Sequence, residues 1–328
     1  YLVLWSFIVG GALISACGLA GHTLFPQFSV KTWGIVHSAL GIAFVYAGSY
    51  QQFEKLMKFF IGLMFVFLVG CALFVNPPLA TAISLVREAG IPAGSQNMLL
   101  GVIGGVGGSL TLLVYGYWMQ EKKWEGKKYL SAIRVDLGLA YFLTGLFGVA
   151  VIVLADHTLF AKGITVKGTD SVIQMAQTLE VFLGRLGYWT FVLGFWGAVA
   201  TSLLGVWQSV PYLFCDFIGI SRNLNASARQ EILHTHSRWY RAYLFYLGVA
   251  PLVLLWADKP VLIIVVYSIV GALFMPFLVL TLLYLNSRRS LVGELSNKWW
   301  ETALLLAGLA LFAYLCFDGI REAFVKIG

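Results

Sequence analysis

Apolar residues fill whole stretches of this chain instead of recurring on one face of each helix. Nine of these stretches are long enough to cross a bilayer, at approximately 1–25, 33–50, 58–75, 98–119, 132–155, 186–218, 241–257, 260–286 and 299–318. A span needs roughly 20 mostly apolar residues, and somewhat fewer where the helix is broken. Helices that are apolar all round find a suitable solvent only in lipid, so buried helices of a soluble core do not explain this pattern. The breaks carry ordinary punctuation. Asn76-Pro77-Pro78, Ile91-Pro92-Ala93-Gly94 and Asp258-Lys259-Pro260 each stop a helix and start a turn. The last of them predicts a tight hairpin between the seventh and eighth spans. The pattern predicts an all-α polytopic membrane protein with one transmembrane domain over 1–328.

Composition agrees. Of 328 residues, 59% are hydrophobic and 11% charged, against about 25% charged in a soluble domain. That excludes a soluble enzyme, a nucleic-acid binder and a disordered chain, so the net charge of +7 reads as topology and not as a nucleic-acid partner. Basic residues do fall in alternate loops. Lys55, Lys58, Lys122, Lys123, Lys127, Lys128, Arg134, Arg222, Arg229, Arg238, Arg241, Arg288, Arg289 and Lys298 form one set, and the remaining 8 of the 22 form the other. The richer set predicts the cytoplasmic side, which puts the C-terminus outside a bacterial inner (plasma) membrane. Of the exterior loops this leaves, 76–97 and 156–185 are the longest, and 171–180 reads as an amphipathic helix.

The four cysteines, Cys17, Cys71, Cys215 and Cys316, all lie in apolar runs and predict neither zinc nor disulfides. The chain opens on Tyr1 in an already apolar stretch, so the natural start is expected to lie upstream. No Ser/His/Asp grouping, His-rich motif or phosphate loop occurs in the cytoplasmic segments, so neither an enzyme nor a cofactor is expected. The oligomeric state has no signature. The expected partners are the lipid bilayer and a divalent cation or small solute.

Chemistry concentrates in the fourth span, where Gly101, Gly104, Gly105, Gly107 and Gly108 precede Ser109, Thr111 and Tyr115. Each glycine inside a helix costs about 1 kcal/mol against alanine, and five in eight positions predict a break near Gly105 to Ser109. In a membrane, freed backbone groups are tolerated only in protein or against a hydrated cavity, and transporters build ion sites from such breaks. Close helix packing is the other reading, since Gly101/Gly105 and Gly104/Gly108 have the small-xxx-small spacing.

Several strings resemble the Nramp family of divalent metal transporters. They are Gly101-Val-Ile-Gly104 before the glycine run, Arg134-Val-Asp136 opening the fifth span, Met275-Pro276-Phe277, and Asn286 through Gly293 closing the eighth. The resemblance implies eleven helices in the leucine-transporter-type inverted-repeat fold, with this chain covering helices three to eleven and the first two missing. It also implies a secondary transporter working by alternating access. The departures are as informative. The family's Met-Pro-His falls at Gly108-Ser109-Leu110, its second histidine at Tyr115, its helix-three Asp and Glu at Gly18 and Gly21, and its helix-ten Gln at Ser268. Without the thioether, transition-metal preference weakens. The remaining oxygens would be the Gly105 carbonyl, as a metal ligand, with Gly107, Gly108, Ser109, Thr111, Tyr115 and Ser268 around it. Such a set suits a hard ion such as Mg²⁺. An amino acid or a monovalent cation on the same fold is the alternative.

Among other polar residues, Asp136 is an acid close to a span interior. It reads either as a proton or ion relay or as a local partner of Arg134 at the helix start. His37, like His22, reads as a relay or as a hydrogen-bonded packing residue. Thr201, Ser202, Gly205, Gln208, Ser209 and Pro211 form a polar line along the sixth span that should face protein or water. Asp216, near that span's end, reads as structural. Trp118 and Trp239, among others near span ends, suit interfacial belts.

Overall fold

Leu2–Leu24 forms the first helix, α1, and it is the innermost of its unit. Trp5, Val9, Ile14 and Cys17 have no exposed surface. The computed structural model describes residues 1–75, 110–158, 170–257 and 259–327. The helices that follow are α2 (Val30–Ala47), α3 (Tyr50–Val75), α4 (Thr111–Glu121), α5 (Leu130–Thr158) and α6 (Asp170–Ser221). After them come α7 (Ala226–Ile232), α8 (Arg238–Val249, continued by a 3-10 helix over Ala250–Ala257), α9 (Pro260–Asn286), α10 (Arg289–Val292) and α11 (Trp299–Ile327). No strand occurs among the described residues. Among the described residues, seven helical segments are long and apolar enough to cross a membrane, and the protein is an all-α polytopic membrane protein. Of the two remaining predicted spans, the fourth lies mostly outside the described residues, which hold only its end as α4. The ninth is a shorter apolar segment, Trp299–Leu315, inside α11.

Helix starts follow the local chemistry. The hydroxyls of Ser29, Ser49 and Ser237 and the side-chain carbonyl of Asn225 each accept a backbone N–H of the first turn in α2, α3, α8 and α7, which satisfies a donor the helix cannot. Ser49 and Gln52 complete a reciprocal capping box. The predicted amphipathic helix at 171–180 is present. It is separated from the sixth span at Gly184, whose φ of 66° places it in the left-handed region that glycine adopts freely.

The chain divides into two compact units, one drawn from 1–86 and 113–264, the other from 87–112 and 265–328. In the first, α1 lies against α2 and α8, while α6 takes α1, α2, α3 and α8 along its length. Lipid tails are as apolar as leucine, so close backbone approach replaces hydrophobic drive as the source of cohesion. Gly18 and Gly21 provide it. A Cβ on Gly18 would collide with the Val30 carbonyl, and one on Gly21 would lie 2.6 Å from the Trp33 ring. Along α3, a π-helical turn at Phe65–Val69 delivers Leu68 onto Gly194 of α6. Apolar side chains on the outer faces, Phe142 and Leu186 among them, are exposed as a lipid-facing surface requires.

The second unit packs Met275, Leu278 and Val279 of α9 on Phe312 of α11. Gly293 turns the chain between these helices with φ 59°, and the Asn297 N–H donates to the Asn286 carbonyl at 2.9 Å.

Candidate functional site

Of the residues singled out from the sequence, Gly105, Gly107, Gly108 and Ser109 lie outside the described residues, as does the Thr111 side chain. Ser268 is buried in the second unit. Tyr115 and Asp136 are brought together. The Tyr115 hydroxyl on α4 donates to Asp136 Oδ2 on α5 at 2.7 Å. Asp136 therefore takes a partner from another helix, where the sequence offered Arg134 two positions away.

The bond belongs to a set that runs down α4 to its lysine-rich end, one residue type after another. Trp118 Nε1 donates to Gln208 Oε1 on α6 at 2.6 Å, and Tyr117 donates to Asp216 Oδ2 on α6 at 2.8 Å. Glu121 Oε1 accepts from the Tyr212 hydroxyl of α6 at 2.6 Å. Helical spacing explains the division of labour. Positions 117 and 121 are four apart and share the face turned to α6, whereas 115 lies on a different face, the one that meets α5. Tyr117 and Tyr212 stack at 5.5 Å with 10° between their planes, which fixes both phenols.

Gln208 is the hub. Buried on α6, it accepts from Trp118, and its amide nitrogen donates to the Tyr212 hydroxyl at 3.3 Å. Three residues on, Pro211 has no N–H to offer the preceding turn. Nearby, the Gln208 backbone carbonyl receives the buried Tyr240 hydroxyl of α8 at 2.5 Å. The polar line on the sixth span thus faces protein at Thr201, Gln208 and Ser209, all buried, while Ser202 is exposed and bonds back to its own helix. Asp216 ties a third element in, since Arg229 of α7 donates to its other oxygen. That carboxylate holds the Arg229 guanidinium above its usual range. On the other flank Glu54 of α3 pairs with Lys122 at 3.1 Å and with Lys58 at 2.9 Å.

Beside these bonds lies a polar cavity of about 420 Å³, lined by Tyr117, Gln120, Glu121, Glu125, Tyr212 and His234, among others. In the four bonds that α4 makes to α5 and α6, the donors are phenols and an indole, and the acceptors are carboxylates and one amide oxygen. Each such bond is worth about 1 kcal/mol net, somewhat more onto a carboxylate. Together these bonds join α4 to α5 and α6.

His37 stands apart from this set. Its Nδ1 lies 2.7 Å from the Trp33 carbonyl and so carries the proton, and its Nε2 accepts from Trp196 Nε1 at 2.8 Å. Both ring nitrogens are engaged within the protein, the arrangement of a packing histidine. Among the described residues no three His, Cys, Asp or Glu side chains gather as a metal site, and His236 of the His234-Thr-His236 pair contacts Arg241 at 3.0 Å.

Sequence reasoning passed over Tyr117, Glu121 and Tyr212, read Arg229 only as a mark of topology, and assigned Trp118 to an interfacial belt. Trp118 is half-buried against Phe53 with its N–H spent on Gln208. The available signal was Gln208 itself, an amide in an apolar helix that needs an interhelical partner.

The sequence model of the family described as Natural resistance-associated macrophage protein-like, Nramp, matches residues 2–320. The chain is also 21% identical over 309 residues to an uncharacterized membrane protein, YcsG, of Bacillus subtilis (strain 168), a match that covers 92% of this chain and 71% of that protein.

Proposed function

This chain belongs to the Nramp family, for which divalent metal transport across the membrane is the implied activity, and on that premise we propose that it moves a hard divalent cation of the Mg/Mn/Fe class by alternating access. The Gly105 carbonyl would be the metal ligand, with Gly107, Gly108, Ser109, Thr111, Tyr115 and Ser268 forming the rest of the path, and Asp136 beside Tyr115 acting as a relay. The lysine-rich end of α4 would face the cytoplasm and the C-terminus the exterior.

One observation carries this reading. The segment immediately after the glycine run is fastened to α5 and α6 by Tyr115–Asp136, Tyr117–Asp216, Trp118–Gln208 and Glu121–Tyr212. Alternating access requires an element with two arrangements whose balance the bound ion can tip. A helix held by a few separable hydrogen bonds would supply one. A hard cation is what oxygen-only ligation would favour, with glycine at the position the resemblance assigns to the family's methionine.

The second reading, transport of an amino acid or a monovalent cation on the same fold, is favoured by Gly18 and Gly21. Their surroundings are filled by α2, leaving no room for the family's proton-path acids. Uptake into proteoliposomes separates the two. Saturable Mg²⁺ or Mn²⁺ uptake supports the first reading, with its dependence on a pH gradient reporting proton coupling. A folded, reconstituted protein that carries no divalent cation would transfer the assignment to the second.

A further inference from the structure

Where α6 ends and α8 begins, one tryptophan gathers two arginines. Arg222, the first residue beyond α6, sets its guanidinium carbon 4.7 Å from the centre of the Trp239 ring, and Arg238, the first residue of α8, sets its own 5.2 Å from it. The turn that places Arg222 there is built by Asn223 at φ 50° and by the Leu224 N–H donating to the Gly219 carbonyl at 3.0 Å. Among the described residues neither guanidinium has a carboxylate at ion-pair distance or a hydrogen-bond acceptor, although Arg229 close by in sequence has Asp216.

Topology accounts for basic residues in this loop, but not for two of them converging on one ring. Like charges brought together repel unless an anion lies with them, and the indole face offsets only part of that cost. Next to the ring is a groove of about 610 Å³, with Leu224 and Ile232 as apolar lining, Arg238 and Trp239 on its wall and Glu231 as its one carboxylate. Both α6 and α8 belong to membrane-crossing segments, and a half-buried tryptophan at their ends belongs at headgroup depth.

We infer that Arg222, Arg238 and Trp239 form a binding site for the phosphate of an anionic membrane lipid. Guanidinium groups bind phosphate oxygens through two parallel N–H bonds, and the apolar side of the groove, Leu224 and Ile232, accommodates the start of an acyl chain. The site rests on the membrane-spanning character of α6 and α8 and not on which solute is carried.

The test uses the purified, delipidated protein in mild detergent, titrated separately with phosphatidylglycerol, phosphatidylcholine and inorganic phosphate. Retained lipid is read by native mass spectrometry and stability by the melting temperature. Phosphatidylglycerol alone should be retained and should raise the melting temperature. The Arg222→Ala/Arg238→Ala double variant should bind it about 20- to 30-fold more weakly, and the corresponding double lysine variant should recover part of that loss. Equal retention by the double alanine variant would overturn the site, as would equal stabilisation by phosphatidylcholine. Stabilisation by inorganic phosphate at the same concentration would show an adventitious ion only and overturn the lipid assignment. Should the double variant fail to fold, Arg222→Gln carries the same comparison, with a drop of about 5-fold expected and an unchanged affinity counting against the site.

Discussion

Tyr115 donates its hydroxyl to Asp136 at 2.7 Å, joining the helix that follows the glycine run to the start of its neighbour. Removing the bond with Tyr115→Phe should shift the balance between the two arrangements proposed for α4 by about 1 kcal/mol. That is about 5-fold in a rate limited by that balance. Uptake kinetics in proteoliposomes should show a changed maximal rate with little change in melting temperature, because both residues lie near the surface. If Tyr115→Phe and Asp136→Asn each leave the rate at the parent value, the bond has no part in transport.

The pair Tyr117 and Asp216 closes the same segment onto α6 at 2.8 Å. Asp216→Asn weakens it and at the same time loosens Arg229. A cysteine placed at Gln120, on the cavity wall, should then react about 5-fold faster with a membrane-impermeant thiol reagent from the lysine-rich side. An unchanged reaction rate would mean that these bonds do not hold the cavity shut.

Gln208→Leu is expected to be costly. It strands the Trp118 N–H and removes one of the two partners of the Tyr212 hydroxyl, which keeps Glu121, at about 1–3 kcal/mol for a buried group left without its bond. Thermal melting in detergent should fall for Gln208→Leu and much less for Gln208→Glu, which still accepts from the indole. Equal melting temperatures for the two variants would contradict the hub role.

Restoring the family's acids should fail. Gly18→Asp must displace the Val30 carbonyl and Gly21→Glu the Trp33 ring, and overpacking alone costs about 1–3 kcal/mol before any charge is buried. Both variants should fold poorly and gain no pH-gradient dependence. A stable Gly21→Glu protein that acquires proton coupling would show that α1 and α2 separate in the working cycle.

At the proposed cation site, Gly108→Met should raise Mn²⁺ or Cd²⁺ affinity by supplying a thioether, and Gly105→Val should abolish uptake by crowding the break. No gain from the first would count against the alignment with the family's methionine. Unchanged uptake by the second would leave the glycines with a packing role.

Length and polarity of runs determined the membrane class, because burying a backbone in lipid permits little besides helices of that size. The starts at Ser29, Ser49, Asn225 and Ser237 were equally local, each cap being decided within three residues. The sequence could also flag Tyr115, Asp136 and Gln208 as polar groups out of place. It could not pair them. Tyr115 and Asp136 are 21 positions apart, Trp118 and Gln208 90, and Tyr117 and Asp216 99, and nothing in residue type selects one acceptor from several at such distances. Packing made the selection. Gly18 and Gly21 set how closely α1 and α2 approach and Gly194 how closely α3 and α6 do, and it is the placement of α4 beside α5 and α6 that brings the bonded side chains within reach. The same packing leaves a Cβ at Gly18 or Gly21 in collision with α2.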